Sequence, residues 1–128
     1  MNAVDLRGTV AALDRYWSQH TVGEANGSLF KVAKGIDSTN WHSHPDEDEV
    51  FIVLRGSLTI HLRSGDVHLR DGGFFVVPAG VEHCPQADEE VHLLLVGPSV
   101  TSNEAGGKPD WSHDRRAAGA QSDGSLHA

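Results

Sequence analysis

Histidine and glutamate are set out in two pieces of this chain. His42-Ser43-His44, Glu49 and Gly56 lie in one apolar stretch, and Gly72, Pro78, Gly80 and His83 lie in the next. A fold that uses these groups together must carry His83 across from His42 and His44. In an extended segment alternate side chains share a face, so His42 and His44 point the same way and form a two-toothed clamp, while Trp41 and Ser43 face the other side. Pro45 and the acidic run Asp46-Glu47-Asp48 turn the chain into the next strand. There Glu49 shares parity with Phe51 and Val53 and faces the same cavity, whereas Asp48 has the opposite face. The acidic run then reads as a solvated turn, and Glu49 as the carboxylate of the set.

Three imidazoles and one carboxylate suit a divalent first-row metal: iron, manganese, nickel, cobalt or zinc. Four protein ligands leave two positions open on an octahedral ion but saturate a tetrahedral one, which leans the reading towards iron, manganese, nickel or cobalt. The expected metal ligands are His42, His44, Glu49 and His83, with one metal per chain. Phe51, Val53 and His92 are the candidates for lining a substrate pocket.

The surroundings of these groups predict an all-β domain. Short apolar runs separated by turn residues cover Leu29 to Ala33, Thr39 to His44, Val50 to Leu54, Ser57 to Leu62, Val67 to Arg70, Phe74 to Val77 and Val91 to Val96. Arg55-Gly56, Ser64-Gly65-Asp66 and Asp71-Gly72-Gly73 are tight enough for hairpins, so neighbouring strands should be antiparallel. Before them, Val10, Leu13 and Trp17 recur at helical steps behind Thr9, which predicts a short helix from Thr9 to Trp17 lying against the barrel. At 128 residues the chain is one domain's worth. We expect a helical segment over 1–22, a barrel over 23–103, and a flexible tail over 104–128, where Trp111 and Leu126 are the sizeable apolar residues.

Charge excludes some functions. Lys and Arg number 10 against 18 Asp and Glu, a net charge of -8 without a basic cluster, so nucleic acid is not an expected partner. The first twenty residues lack an uninterrupted apolar core, which argues against a signal peptide or a membrane span. A lone cysteine, Cys84, offers no disulfide framework and suits a cytoplasmic protein. By parity it points away from the metal set, as a small buried thiol.

The two motifs resemble those of the cupin superfamily. Its first motif matches Gly35, His42, His44, Glu49 and Gly56, with the gap from Gly35 to His42 one residue longer than usual. Its second matches Gly72, Pro78, Gly80 and His83, with Ala87 where an asparagine is usual. Trp41-His42, Val76-Val77-Pro78 and neighbouring residues look like a subgroup of small bacterial cupins with a WHxH signature. The resemblance implies a small jelly-roll-like double-stranded β-barrel with the metal inside, and a homodimer. It implies no particular substrate, because this fold hosts many reactions.

The expected function is a metal-dependent enzyme acting on a small organic substrate. A redox metal would give dioxygenase or other oxidoreductase chemistry, and a redox-silent one Lewis-acid isomerase, cyclase or lyase chemistry. The alternative is a non-catalytic metal-dependent module that binds or senses a small molecule. A structural metal is the third reading. No dedicated general base stands out, and His61 and His68, on the outward parity of their strands, read as surface residues.

Overall fold

The structure is a computed structural model and describes residues 2–98. The expected tail over 104–128, the last residues of the expected barrel segment, and Trp111 lie outside the described residues. The elements in chain order are α1 (Leu6–Ala11), β1 (His20–Ala25), β2 (Ser28–Ser38), β3 (Glu49–Arg55), β4 (Ser57–Leu62), β5 (Gly65–Arg70), β6 (Phe74–Val77) and β7 (His83–Gly97). The seven strands form a single antiparallel sheet in a jelly-roll-like barrel.

β7 organises it. The first residues of this 15-residue strand pair with β4, from Leu62↔His83 to Thr59↔Gln86. Its later residues pair with β2 on one side, as Ala33↔Leu93 and Lys31↔Leu95, and with β3 on the other, as Val53↔Leu93 and Phe51↔Leu95. β1 and β6 close the order β1-β2-β7-β3-β6, and β5 hangs from β4. One strand thus ties the His83 end of the molecule to the strands that begin at Glu49 and end at Ser38.

Alternation decides which side chains go inside. In β3 the residues Glu49, Phe51 and Val53 are buried while Val50, Ile52 and Leu54 are half-buried on the other face. Leu58 and Ile60 of β4, Leu69 of β5, Val77 of β6 and Leu93 and Leu95 of β7 complete the interior. Each such aliphatic side chain withdrawn from water contributes about 1.5–3 kcal/mol, which is what holds the curled sheet closed.

Two expectations about local structure need correcting. The helix runs from Leu6 to Ala11 rather than from Thr9 to Trp17. The reason is tertiary: Tyr16 and Trp17 are drawn onto β2, where Tyr16 bridges Lys34 and the Trp17 amide donates to the Lys34 carbonyl at 2.6 Å. One further helical turn is marginal in water, so burying two aromatic side chains, at 6% and 2% exposure, outweighs it. Thr9 does not cap the helix; its hydroxyl donates to the Asp5 carbonyl one turn back. The expected strand from Thr39 to His44 is instead an irregular connection whose one β-bridge is His42 with His83.

β1 went unread in the sequence because its side chains are almost all exposed and show no apolar alternation. Asn26-Gly27 was the available signal. Both residues have positive φ, 53° and 81°, the conformation of the tight turn that joins twisted antiparallel strands.

Candidate metal centre

His42 and His44 arrive on the connection after β2, Glu49 opens β3, and His83 opens β7. His42 and His83 are fastened to each other through the backbone, each amide donating to the other's carbonyl at 3.0 and 2.9 Å. The loop before His83 is tied down as well: the Gly80 amide donates to the His44 carbonyl at 2.9 Å, and the Ala79 amide to the Asp48 carboxylate at 2.8 Å. Asp48, expected as part of a solvated turn, therefore anchors the loop that delivers His83.

These connections bring the four expected residues together. One donor atom from each of His42, His44, Glu49 and His83 lies within 4.8 Å of all the others. Donors held about 2 Å from an ion are separated by up to about 4 Å, so the set is close to the size of a coordination sphere. All four side chains are at most 9% exposed.

The hydrogen bonds orient the rings. The Nδ1–H of His42 donates to the Asn40 carbonyl at 2.7 Å, and that of His83 to the Val81 carbonyl at 2.9 Å. A carbonyl only accepts, so Nδ1 carries the proton in both rings and, in the neutral imidazole, Nε2 presents a lone pair. Burial, with the neighbouring His83 adding to it, pushes the His42 ring down to about 4, so it is neutral at pH 7. His83 Nε2 lies 3.1 Å from Glu49 Oε1, and His44 Nε2 lies 3.3 Å from the same oxygen. Burial by itself would raise the Glu49 carboxyl, but His44 and His83 outweigh it and hold it well below the usual carboxylate range.

With these rings neutral and protonated at Nδ1, the buried carboxylate would face imidazole lone pairs, an arrangement that calls for a positive charge between them. His44 makes the same point: both its ring nitrogens are buried, Nδ1 has no hydrogen-bond partner among the described residues, and Nε2 has only its 3.3 Å approach to Glu49, short of hydrogen-bond geometry. Buried polar atoms left so are rare unless a ligand serves them. The donor set therefore fits a divalent transition metal, with hydrogen bonds to the far nitrogens of His42 and His83 of the kind that orient metal-ligating rings.

Residues 28–97 match the Cupin_2 family, described as a cupin domain. The chain is a cupin. A cupin-2 domain protein of Shewanella frigidimarina has a solved structure that superimposes with a TM-score of 0.71 at 35% identity, covering 73% of this chain and 92% of that one. The uncharacterized protein YdbB of Bacillus subtilis is 33% identical over 64 residues, 49% of this chain and 57% of its own length. The 3-hydroxyanthranilate 3,4-dioxygenase of Ruegeria pomeroyi is 32% identical over 81 residues, 59% of this chain but 40% of that protein. The cupin thus spans little more than half, or less, of the curated relatives it matches.

The expected pocket residues are placed differently from one another. Phe51 borders a small cavity of about 20 Å³ beside His42 and Glu49. Val53 is fully buried one pair further along β3, in the core. His92 pairs with Lys34 in the β2–β7 register, and its Nε2 bonds to Glu90 at 2.7 Å. Neither borders that cavity. Cys84 is buried with its thiol donating to the Thr39 carbonyl at 3.1 Å, and burial pushes its pKa up, as befits an inert thiol.

Some interior groups of the cupin escaped the sequence reading. Lys31 is 1% exposed on β2, paired with inward-facing Leu95. Burial lowers its pKa, while Glu49 and Glu47 act to keep its charge. Parity along β2 could have flagged it, since a lysine there must either break the pattern or meet an acid. Trp17 and Gln19, which also border the cavity, come from a segment read as a helix packed outside the barrel.

Proposed function

We propose that this cupin is a metal-dependent enzyme acting on a small organic substrate, with His42, His44, Glu49 and His83 holding one divalent transition metal. The observation that carries the reading is the buried convergence of one donor atom from each of the four side chains within 4.8 Å, with His44 Nδ1 lacking a hydrogen-bond partner among the described residues beside it. Such an ion supplies Lewis acidity or, if it is iron or manganese, access to dioxygen chemistry. The protein's part is to hold three rings and Glu49 at fixed angles and to keep the site dry. The likeness to a dioxygenase over 81 residues favours the oxidative branch. A cytoplasmic setting and a homodimer belong to the same proposal. Among the described residues no helix is long and apolar enough to cross a membrane.

The deciding experiment is elemental analysis of untagged protein beside the Glu49→Ala variant, followed by reconstitution and oxygen-consumption screens. Near-stoichiometric iron or manganese, lost in the variant and coupled to substrate-dependent oxygen uptake, is the expected result. Nickel, cobalt or zinc with turnover of a substrate without oxygen points to the Lewis-acid branch. Bound metal with saturable ligand binding but no turnover would support the binding or sensing alternative. Failure of the wild type to take up any of these metals would overturn the proposal.

A further inference from the structure

The space beside the metal-ligand set is very small. About 20 Å³ lies open to an occupant in a cavity whose lining includes His42, Glu49, Phe51, Trp17, Gln19 and Leu93. That is the room of about one water molecule. Two of these walls, Trp17 and Gln19, belong to the segment between α1 and β1, and both are buried, at 2% exposure each.

The segment is pinned rather than draped. The Trp17 indole N–H donates to the Ile36 carbonyl at 2.9 Å, and the Tyr16 hydroxyl donates to Glu90 Oε1 at 3.1 Å. The indole lies flat on Gly35, where an added Cβ would sit 2.6 Å from the ring. Trp17 itself adopts φ of +60°, in the left-handed region that a bulky side chain rarely occupies. A strained backbone held by this many contacts puts the indole inside the barrel, where a larger ligand would otherwise lie.

We propose that Trp17 and Gln19 form the specificity wall of the metal site, admitting beside His42 and Glu49 only a compact ligand of about one to three heavy atoms. Gln19 is the positioning residue, because its buried polar side chain borders the cavity together with His42 and Glu49. Trp17 sets the size limit. An aromatic chelate reaches this side of the site only if the wall is cut back. The inference rests on the metal-binding reading above.

The test uses the full chain loaded with cobalt(II), whose visible spectrum reports on ligands bound to the metal. Azide is the compact probe and 4-nitrocatechol the bulky one. We expect the wild type to bind azide and to show no spectral change with nitrocatechol. Trp17→Leu and Gln19→Ala should bind nitrocatechol at least tenfold more tightly than the wild type. Gln19→Leu, which keeps the bulk and removes the amide, should lose azide affinity by about tenfold with cobalt stoichiometry unchanged. If Trp17→Leu does not fold, the two Gln19 variants decide the matter. Nitrocatechol binding to the wild type as tight as to the variants, or equal azide affinity in Gln19→Leu, would overturn this inference and leave the metal-binding proposal standing. Failure of the wild type to take up cobalt would overturn both.

Discussion

His61 shows how far a single histidine's role depends on its neighbours across the sheet. Parity along β4 correctly turns it away from the barrel interior, and there both ring nitrogens face oxygens: Nδ1 meets Asp66 at 2.7 Å and Nε2 meets the Gln86 carbonyl oxygen at 2.6 Å. The Gln86 amide is oriented by donating to Asp88 at 3.0 Å, so its oxygen is the atom left to face His61. Two acceptors favour the doubly protonated ring, and the bonds to Gln86 and then Asp66 raise its pKa. The folded state therefore binds the proton more tightly than the unfolded one. The resulting stabilisation is complete below about pH 6.5 and fades as pH rises through the folded value. NMR titration should give a His61 midpoint above 6.5 that falls in Gln86→Ala and Asp66→Asn; an unchanged midpoint in both variants would refute this account. At Lys31 the sign is opposite, because burial dominates. Lys31→Met removes a charge whose burial outweighs the attraction of Glu49 and Glu47, so we expect an unchanged or higher urea midpoint in the metal-free protein. A clearly lower midpoint would show that the acids depend on this cation.

At the scale of elements, the segment between α1 and β1 is the part where local pattern and final structure part company. Val10, Leu13 and Trp17 do recur at helical spacing, yet only Val10 lies in the helix, fully buried. Trp17 left the helix because Gly35 on β2 offers a surface without a side chain on which the indole can lie. Gly35→Ala would place a methyl within 2.6 Å of that ring, and the ring is held by its N–H bond to Ile36. We expect a destabilisation of about 1–3 kcal/mol, the usual cost of overpacking, visible as a lower urea midpoint. An unchanged midpoint would mean that the indole is not wedged where it lies. The same glycine matched the first cupin motif in the sequence, and its physical role is this close approach.

For the molecule as a whole, the outer face of the sheet is the unsettled surface. Val50 pairs with Val76 and Val96, and Ile52 with Phe74 and Leu94, so these side chains share the face that points away from the core. Phe74 is 63% exposed and Val76 38%, on β6 at an edge of the sheet. A contiguous apolar area of this kind usually marks an interface. If the proposed homodimer uses it, Phe74→Lys with Val76→Lys should shift the light-scattering mass to that of one 13.8 kDa chain. A wild type that already has the monomer mass would rule the dimer out.

The four-residue set was readable because each part of it is local. Side chains alternate along extended backbone, so His42 and His44 share a side, and Glu49 shares one with Phe51, whatever the rest of the chain does. The turn residues likewise marked most of the strands. What the tertiary structure decided is everything that depends on residues far apart in sequence. That β7 would span both halves of the barrel, that Lys31 would be buried beside acids, and that Trp17 and Gln19 would line a cavity with His42 and Glu49 all follow from packing across strands. A side chain's parity is a property of its own segment; the space left next to it belongs to whichever distant segment fills it best.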